Sequence, residues 1–205
     1  MTSADDISPT TQLKKPRGRP RKSCKEDLLD SAMQVFWLKG YEATSMSDLT
    51  DAMNMSRPSF YNTFASKEAL FLQVLDRYGE TIGMEPLRAM QGKEDIREAV
   101  EAFLRTSLEN NTKPGAPTGC LYACAAATSA GVVDGVRERI AAVLAGGKSG
   151  LIAQLQGIPN AAAKAQLAID FMNAQALRAR AGETRQSLLA TLPDRVEAVM
   201  SNLAR

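Results

Sequence analysis

Between Ser56 and Asn62 the chain reads Ser-Arg-Pro-Ser-Phe-Tyr-Asn, a serine able to cap a helix followed by arginine, proline and serine in its first turn. A short helix of this kind can enter the major groove of DNA, about 12 Å wide, with its N-terminal residues facing base edges. Arg57 has the donor geometry for guanine, Ser59 and Asn62 offer further hydrogen-bonding groups, and Pro58 can meet a thymine methyl. The chemistry on offer is therefore recognition of double-stranded DNA rather than bond-making.

A second set of charges points the same way. Lys and Arg total 25 against 23 Asp and Glu, a net charge of +2. Seven basic residues and no acid lie between Lys14 and Lys25, which leaves a mildly acidic body behind a basic arm. Within the arm, Pro16-Arg17-Gly18-Arg19-Pro20 looks like the core of an AT-hook, with Arg17 and Arg19 extended in the narrow minor groove. The other reading is a solvated basic tail. Either way each phosphate contact steepens the log–log salt dependence by about −0.9.

Enzymatic classes are disfavoured. There is no histidine, the commonest general base and metal ligand, and no catalytic residue, metal site or cofactor is expected. Gly146-Gly147-Lys148-Ser149 imitates the end of a phosphate-binding loop, but Ala142 stands where that motif needs glycine and no strand precedes it. Three cysteines, Cys24, Cys120 and Cys124, suit a reducing compartment, and the absence of a long apolar run argues against a membrane span, so a cytoplasmic protein is expected. Cys120 and Cys124, one turn apart, are either thiol sensors or small buried hydrophobes.

The elements that must hold these groups are all helical. Leu28, Leu29, Ala32, Met33 and Phe36 mark one helix, closed by Gly40. Ser45, with Asp48 three residues on, starts a second that stops near Asn54, Ser56 starts a third, and Ser66 a fourth reaching Gly83 to Pro86. Phe64 belongs to the core, Trp37 to packing, and Tyr61 either to the core or to a phosphate. Further helices follow around Ile96–Ser107, across 133–156 with breaks or fraying at Gly146, Gly147 and Gly150, over 160–180, and over 184–204 with a restart at Pro193. The expected class is all-α: an arm over 1–23, a three-helix bundle with a helix-turn-helix over 24–67, and a larger helical effector-binding and dimerisation domain over 68–205.

From Gly40-Tyr41 through Thr44, Leu49, Ser56, Tyr61-Asn62-Thr63-Phe64 and Ser66-Lys67-Glu68-Ala69-Leu70, the segment closely resembles the DNA-binding region of tetracycline-repressor-like (TetR/AcrR) regulators. Asn54 stands where that family usually has glycine, a substitution that asparagine's tolerance of left-handed backbone makes mild. The resemblance implies phosphate contacts from Thr44, Tyr61 and Lys67, with Ser45 beside them. It also implies a homodimer through helices 160–180 and 184–204, and a C-terminal pocket for a small-molecule effector that releases the DNA. Candidate pocket residues are Phe71, Tyr78, Phe103, Ser107, Leu121, Tyr122, Phe171 and Gln175, any of which could instead be plain core; their few polar groups favour an apolar or aromatic effector. The expectation is a sequence-specific regulator, a repressor released by its effector. The competing expectation is an architectural DNA-binding protein with a solid C-terminal core.

Overall fold

A computed structural model describes residues 25–201, which form helices with no strand among them. The first helix, α1 (Lys25–Lys39), buries Leu29, Ala32, Met33, Phe36 and Trp37, and ends where Gly40 takes a φ of +79° and its N–H returns to the Phe36 carbonyl at 2.8 Å. Ser45 caps α2 (Met46–Ala52) in a full capping box: its hydroxyl accepts from the Asp48 N–H, and the Asp48 carboxylate accepts from the Ser45 N–H. The turn then passes through Asn54 at φ +49°, the left-handed conformation anticipated there. Ser56 caps α3 (Arg57–Phe64), with Pro58 inside its first turn, and Ser66 caps α4 (Lys67–Tyr78).

After α4 the chain widens into a π-helical turn over 79–83 before α5 (Glu85–Met90). A side chain at Gly79 would run into the Tyr122 hydroxyl, which donates to the Leu75 carbonyl at 2.8 Å. Next come α6 (Ile96–Asn111), α7 (Leu121–Thr128), α8 (Val136–Gln154), α9 (Ala161–Arg180), α10 (Arg185–Ala190) and α11 (Leu192–Met200). The expected break at Gly146, Gly147 and Gly150 does not occur: α8 runs through all three. Each glycine weakens a helix by about 1 kcal/mol. Here burial of Val136, Ile140 and Leu151 anchors both ends of the helix, and Gly150 makes room for the Leu87 side chain from α5.

Two apolar cores result. One joins α1–α4 to α7 and the first half of α8 through Phe36, Trp37, Leu49, Phe60, Phe64, Phe71, Tyr122 and Ile140. The other gathers α5, α6, α9, α11 and the end of α8 around Val100, Phe103, Leu104, Leu151, Ala168 and Val196. Helix α4 is tied on both sides: Arg77 makes a two-pronged bond to Asp30 of α1 at 2.9 and 3.0 Å, and Asp76 pairs with Arg139 of α8. Among the described residues no helix is long and apolar enough to cross a membrane.

Candidate DNA-reading surface and ligand cavity

Two rings seat α3 on the bundle. Phe60 and Phe64 are buried with centroids 5.7 Å apart, while Arg57, Pro58, Ser59, Tyr61 and Asn62 all face outward. Tyr61 is 52% exposed, so its phenol belongs to the surface. The Arg57 guanidinium donates to the Ser47 hydroxyl at 3.2 Å, a bond to α2 that orders the side chain while leaving it open to solvent. Lys67 lies 4.3 Å from the centroid of the Tyr41 ring, and partial burial lowers its ammonium pKa against the opposing pull of Glu42 and Asp48.

Thr44 departs from expectation. It is 2% exposed and its hydroxyl donates to the Gly40 carbonyl at 2.6 Å, so its side chain braces the turn before α2 instead of facing a phosphate. Ser45 is exposed, with its hydroxyl held in the cap. Arg17 and Arg19 lie outside the described residues.

The capping box carries a testable pH signature. The Asp48 carboxyl is lowered from 3.8 to about 2, first by the Lys39 ammonium bonded to it at 2.6 Å and then by the Ser45 N–H and hydroxyl. A folded-state pKa below the unfolded value means that the contribution is present above pH 3.8 and is lost as the pH falls through about 2. The Asp48 side-chain carbon is expected to titrate in NMR spectra with a midpoint near 2. In a Lys39→Met variant the midpoint should move up toward the ordinary value; an unmoved midpoint would exclude Lys39 as the chief cause.

Beneath this module, between α4, α6, α8 and α9, lies a cavity of ≈ 90 Å³. Tyr78, Phe103, Ser107 and Tyr122 stand on its wall. The other four expected pocket residues do not. Phe71 packs at 4.8 Å on Phe36 and 5.0 Å on Tyr41 in the first core, and Leu121 is buried in the same core. Phe171 is half-buried with the Arg195 guanidinium 5.9 Å from its ring centre, and Gln175 donates to the Leu104 carbonyl and accepts from Arg195. Their helical faces were read correctly as inward, but inward meant core.

The wall also holds Asn111, Cys120 and Lys148, which the sequence reading did not place there. Asn111 lies beyond the helix expected around Ile96–Ser107, whereas α6 continues through it. The signal available was a serine and an asparagine four apart, Ser107 and Asn111, beyond an otherwise apolar helical face. Cys120 and Cys124 are free and half-buried; the Tyr78 hydroxyl donates to the Cys120 sulfur at 3.5 Å. Burial pushes the Cys124 thiol up, against thiolate reactivity.

A capped two-helix unit on a helical body with a cavity is the architecture of helix-turn-helix DNA-binding regulators. Residues 28–74 match the family model described as bacterial regulatory proteins, tetR family. The transcriptional repressor ComR of Escherichia coli (strain K12) is 38% identical over 112 residues, 54% of this chain and 53% of ComR. The transcriptional activator FasR of Mycolicibacterium smegmatis is 35% identical over 88 residues, 41% of this chain and 40% of FasR. The matched region thus spans about half or less of these curated relatives. Over a longer stretch, the chain is similar to the TetR family regulator CifR, solved in a cysteine-substituted form on a 26-base-pair operator duplex. That likeness has 28% identity and a TM-score of 0.79, and covers 88% of this chain and 99% of that one. Residues 28–74 thus match the tetR-family model, and the described chain is similar to TetR family regulators in fold.

Proposed function

We propose that this regulator is a repressor that grips a near-palindromic operator as a homodimer and lets go when a small molecule fills the cavity. The observation that carries the reading is the α3 surface, where Arg57, Pro58, Ser59, Tyr61 and Asn62 are presented together on a helix anchored by Phe60 and Phe64. Arg57, Pro58, Ser59 and Asn62 are assigned to base edges, and Tyr61, Lys67 and the Ser45 end of α2 to phosphates. Residues 24–67 form the reading unit, 68–205 the effector and dimer unit, and the basic arm over 1–23, with Arg17 and Arg19, adds minor-groove or phosphate contacts. The protein acts where DNA is, in the cytoplasm.

The dimer seam is assigned to α9 with the outward side of α10 and α11. On α9, Ala162, Ala163 and Ala174 are exposed and Leu177 is 70% exposed, an unusual cost for a free surface. The contribution of 184–204 is less apolar than the sequence suggested, because Leu188, Leu192, Val196 and Val199 face inward. Pairing sets the two α3 helices one DNA turn apart, about 34–36 Å or a multiple.

The cavity wall leads directly to the reader. Tyr122 meets Tyr78 edge-on at 5.0 Å, Tyr78 meets Trp37 of α1 edge-on at 5.2 Å, and Arg180 of α9 donates to the Leu38 carbonyl at 3.0 Å. A ligand that favours a different setting of α4 shifts the spacing of the two readers by its differential affinity for the two states. The cavity also speaks against the architectural alternative, which calls for a solid C-terminal core.

Footprinting on the intergenic DNA upstream of its own gene should reveal a protected near-palindrome that survives random competitor DNA. Arg57→Ala should weaken that binding about tenfold to a hundredfold and relax preference at one position per half-site. Equal loss of protection on specific and random DNA would remove the repressor reading in favour of the architectural one.

A further inference from the structure

We infer that the cavity takes a small monoanion, a monocarboxylate on an apolar body of about one ring. This rests on reading the cavity as the effector site and assigns the ligand chemistry left open there. Three observations carry it.

First, the wall contains two polar side chains that the protein itself does not satisfy. Ser107 is 4% and Asn111 3% exposed, both line the cavity, and neither side chain has a hydrogen-bond partner among the described residues. Among the described residues only Trp37 Nε1 is a fully sealed side-chain polar atom without a partner, so those of Ser107 and Asn111 open onto the cavity, where water or a ligand pairs them. Here the two stand four residues apart on α6, on one helical face, both on the cavity wall. Their free groups, a hydroxyl and a carboxamide, can both donate to one oxyanion.

Second, the charge on the wall has one sign. Lys148 is half-buried, lines the cavity and has no ion pair among the described residues, and none of their Asp, Glu or Arg side chains lies on the wall with it. The Glu85 carboxylate, which accepts from the amide of the wall residue Asn110 at 2.8 Å, lies off the wall. One cation with no companion matches one negative charge. A phosphate monoester would bring about −1.5 to −2, more than one lysine balances, and no Arg of the described residues lines the wall to form a fork with it.

Third, the remaining wall is apolar and the space small. Phe103, Ile82, Leu87, Ile169 and Met172 line it, and ≈ 90 Å³ is several times the ~10–15 Å³ that a single water needs. This refines the sequence expectation of an apolar or aromatic effector: the body is apolar, but the end that reaches Lys148, Ser107 and Asn111 is charged.

The test uses the full chain on its protected upstream DNA, with benzoate and phenylacetate as probes and their neutral isosteres benzamide and phenylacetamide as controls. The carboxylates are expected to raise the melting temperature and release DNA at concentrations about tenfold lower than the amides. Lys148→Met should erase that preference while leaving DNA binding without ligand intact, and Asn111→Leu should weaken the carboxylates in a protein that still melts cooperatively. Release by the amides at the same or lower concentrations overturns the anion assignment but keeps the effector site. If DNA is bound yet no probe of either charge stabilises or releases at millimolar levels, the anion assignment falls together with the effector reading.

Discussion

Phe60→Ala is expected to lower the unfolding free energy by about 3–5 kcal/mol and to remove operator binding with it. The ring is completely buried, 5.7 Å from Phe64 and edge-on to Tyr61 at 5.4 Å. Helix α3 has only eight residues, and Phe60 and Phe64 are the ones it buries. A helix this short has little stability of its own in water, so its orientation depends on those two contacts. Removing one leaves a void in the first core, the same core that includes Leu49 of α2 and Leu70 of α4. Phe60→Leu, which refills most of the volume, should cost about 1 kcal/mol and retain DNA binding. Urea titration followed by circular dichroism measures both, and a Phe60→Ala midpoint equal to that of the parent would show that α3 is held by something other than its rings.

Lys164→Met should destabilise the C-terminal module by about 2–4 kcal/mol. Lys164 on α9 is 1% exposed, and its ammonium donates to the carbonyls of Val199, Met200 and Ser201 at 2.9, 2.8 and 2.8 Å. Those carbonyls belong to the end of α11, where the helix leaves acceptors without intrahelical donors and its dipole is negative. Three donors thus meet three acceptors. Methionine keeps the length of the stem but supplies none of them, stranding partly buried carbonyls at about 1 kcal/mol each. Removing a buried charge returns some desolvation energy, which limits the loss without changing its sign as long as the carbonyls stay covered. Thermal unfolding monitored by calorimetry decides the matter: a variant as stable as the parent would show that the cap merely balances the cost of burying the ammonium.

Much of the reader was legible in advance because its determinants act over three or four residues. Ser45, Ser56 and Ser66 each cap the helix expected of them, Asn54 turns left-handed between α2 and α3, and Pro58 sits in the first turn of α3. Thr44, given to a phosphate by the family resemblance, is instead buried in the turn. With Ser45 taking the cap, Thr44 falls just before it, where bonding to Gly40 satisfies its hydroxyl.

The cavity was half legible. Helical periodicity shows that Phe71, Leu121, Phe171 and Gln175 face inward, but it does not show which inward groups meet another side chain and which meet space. That depends on where α8 and α9 cross α6, a matter of residues far apart in sequence. The same distance hid Asn111, Lys148 and the bond from Lys164 to carbonyls 35–37 residues away. It also hid the inward turn of the α11 stripe, because an apolar face looks the same whether its partner is α6 or a second chain. By itself the sequence determined the all-helical class, the capped helix-turn-helix and its likeness to tetR-family readers, since these rest on local hydrogen bonds and short spacings. Only the tertiary structure decided the cavity, its unpaired polar groups and the use of each apolar face, since these arise where distant helices converge.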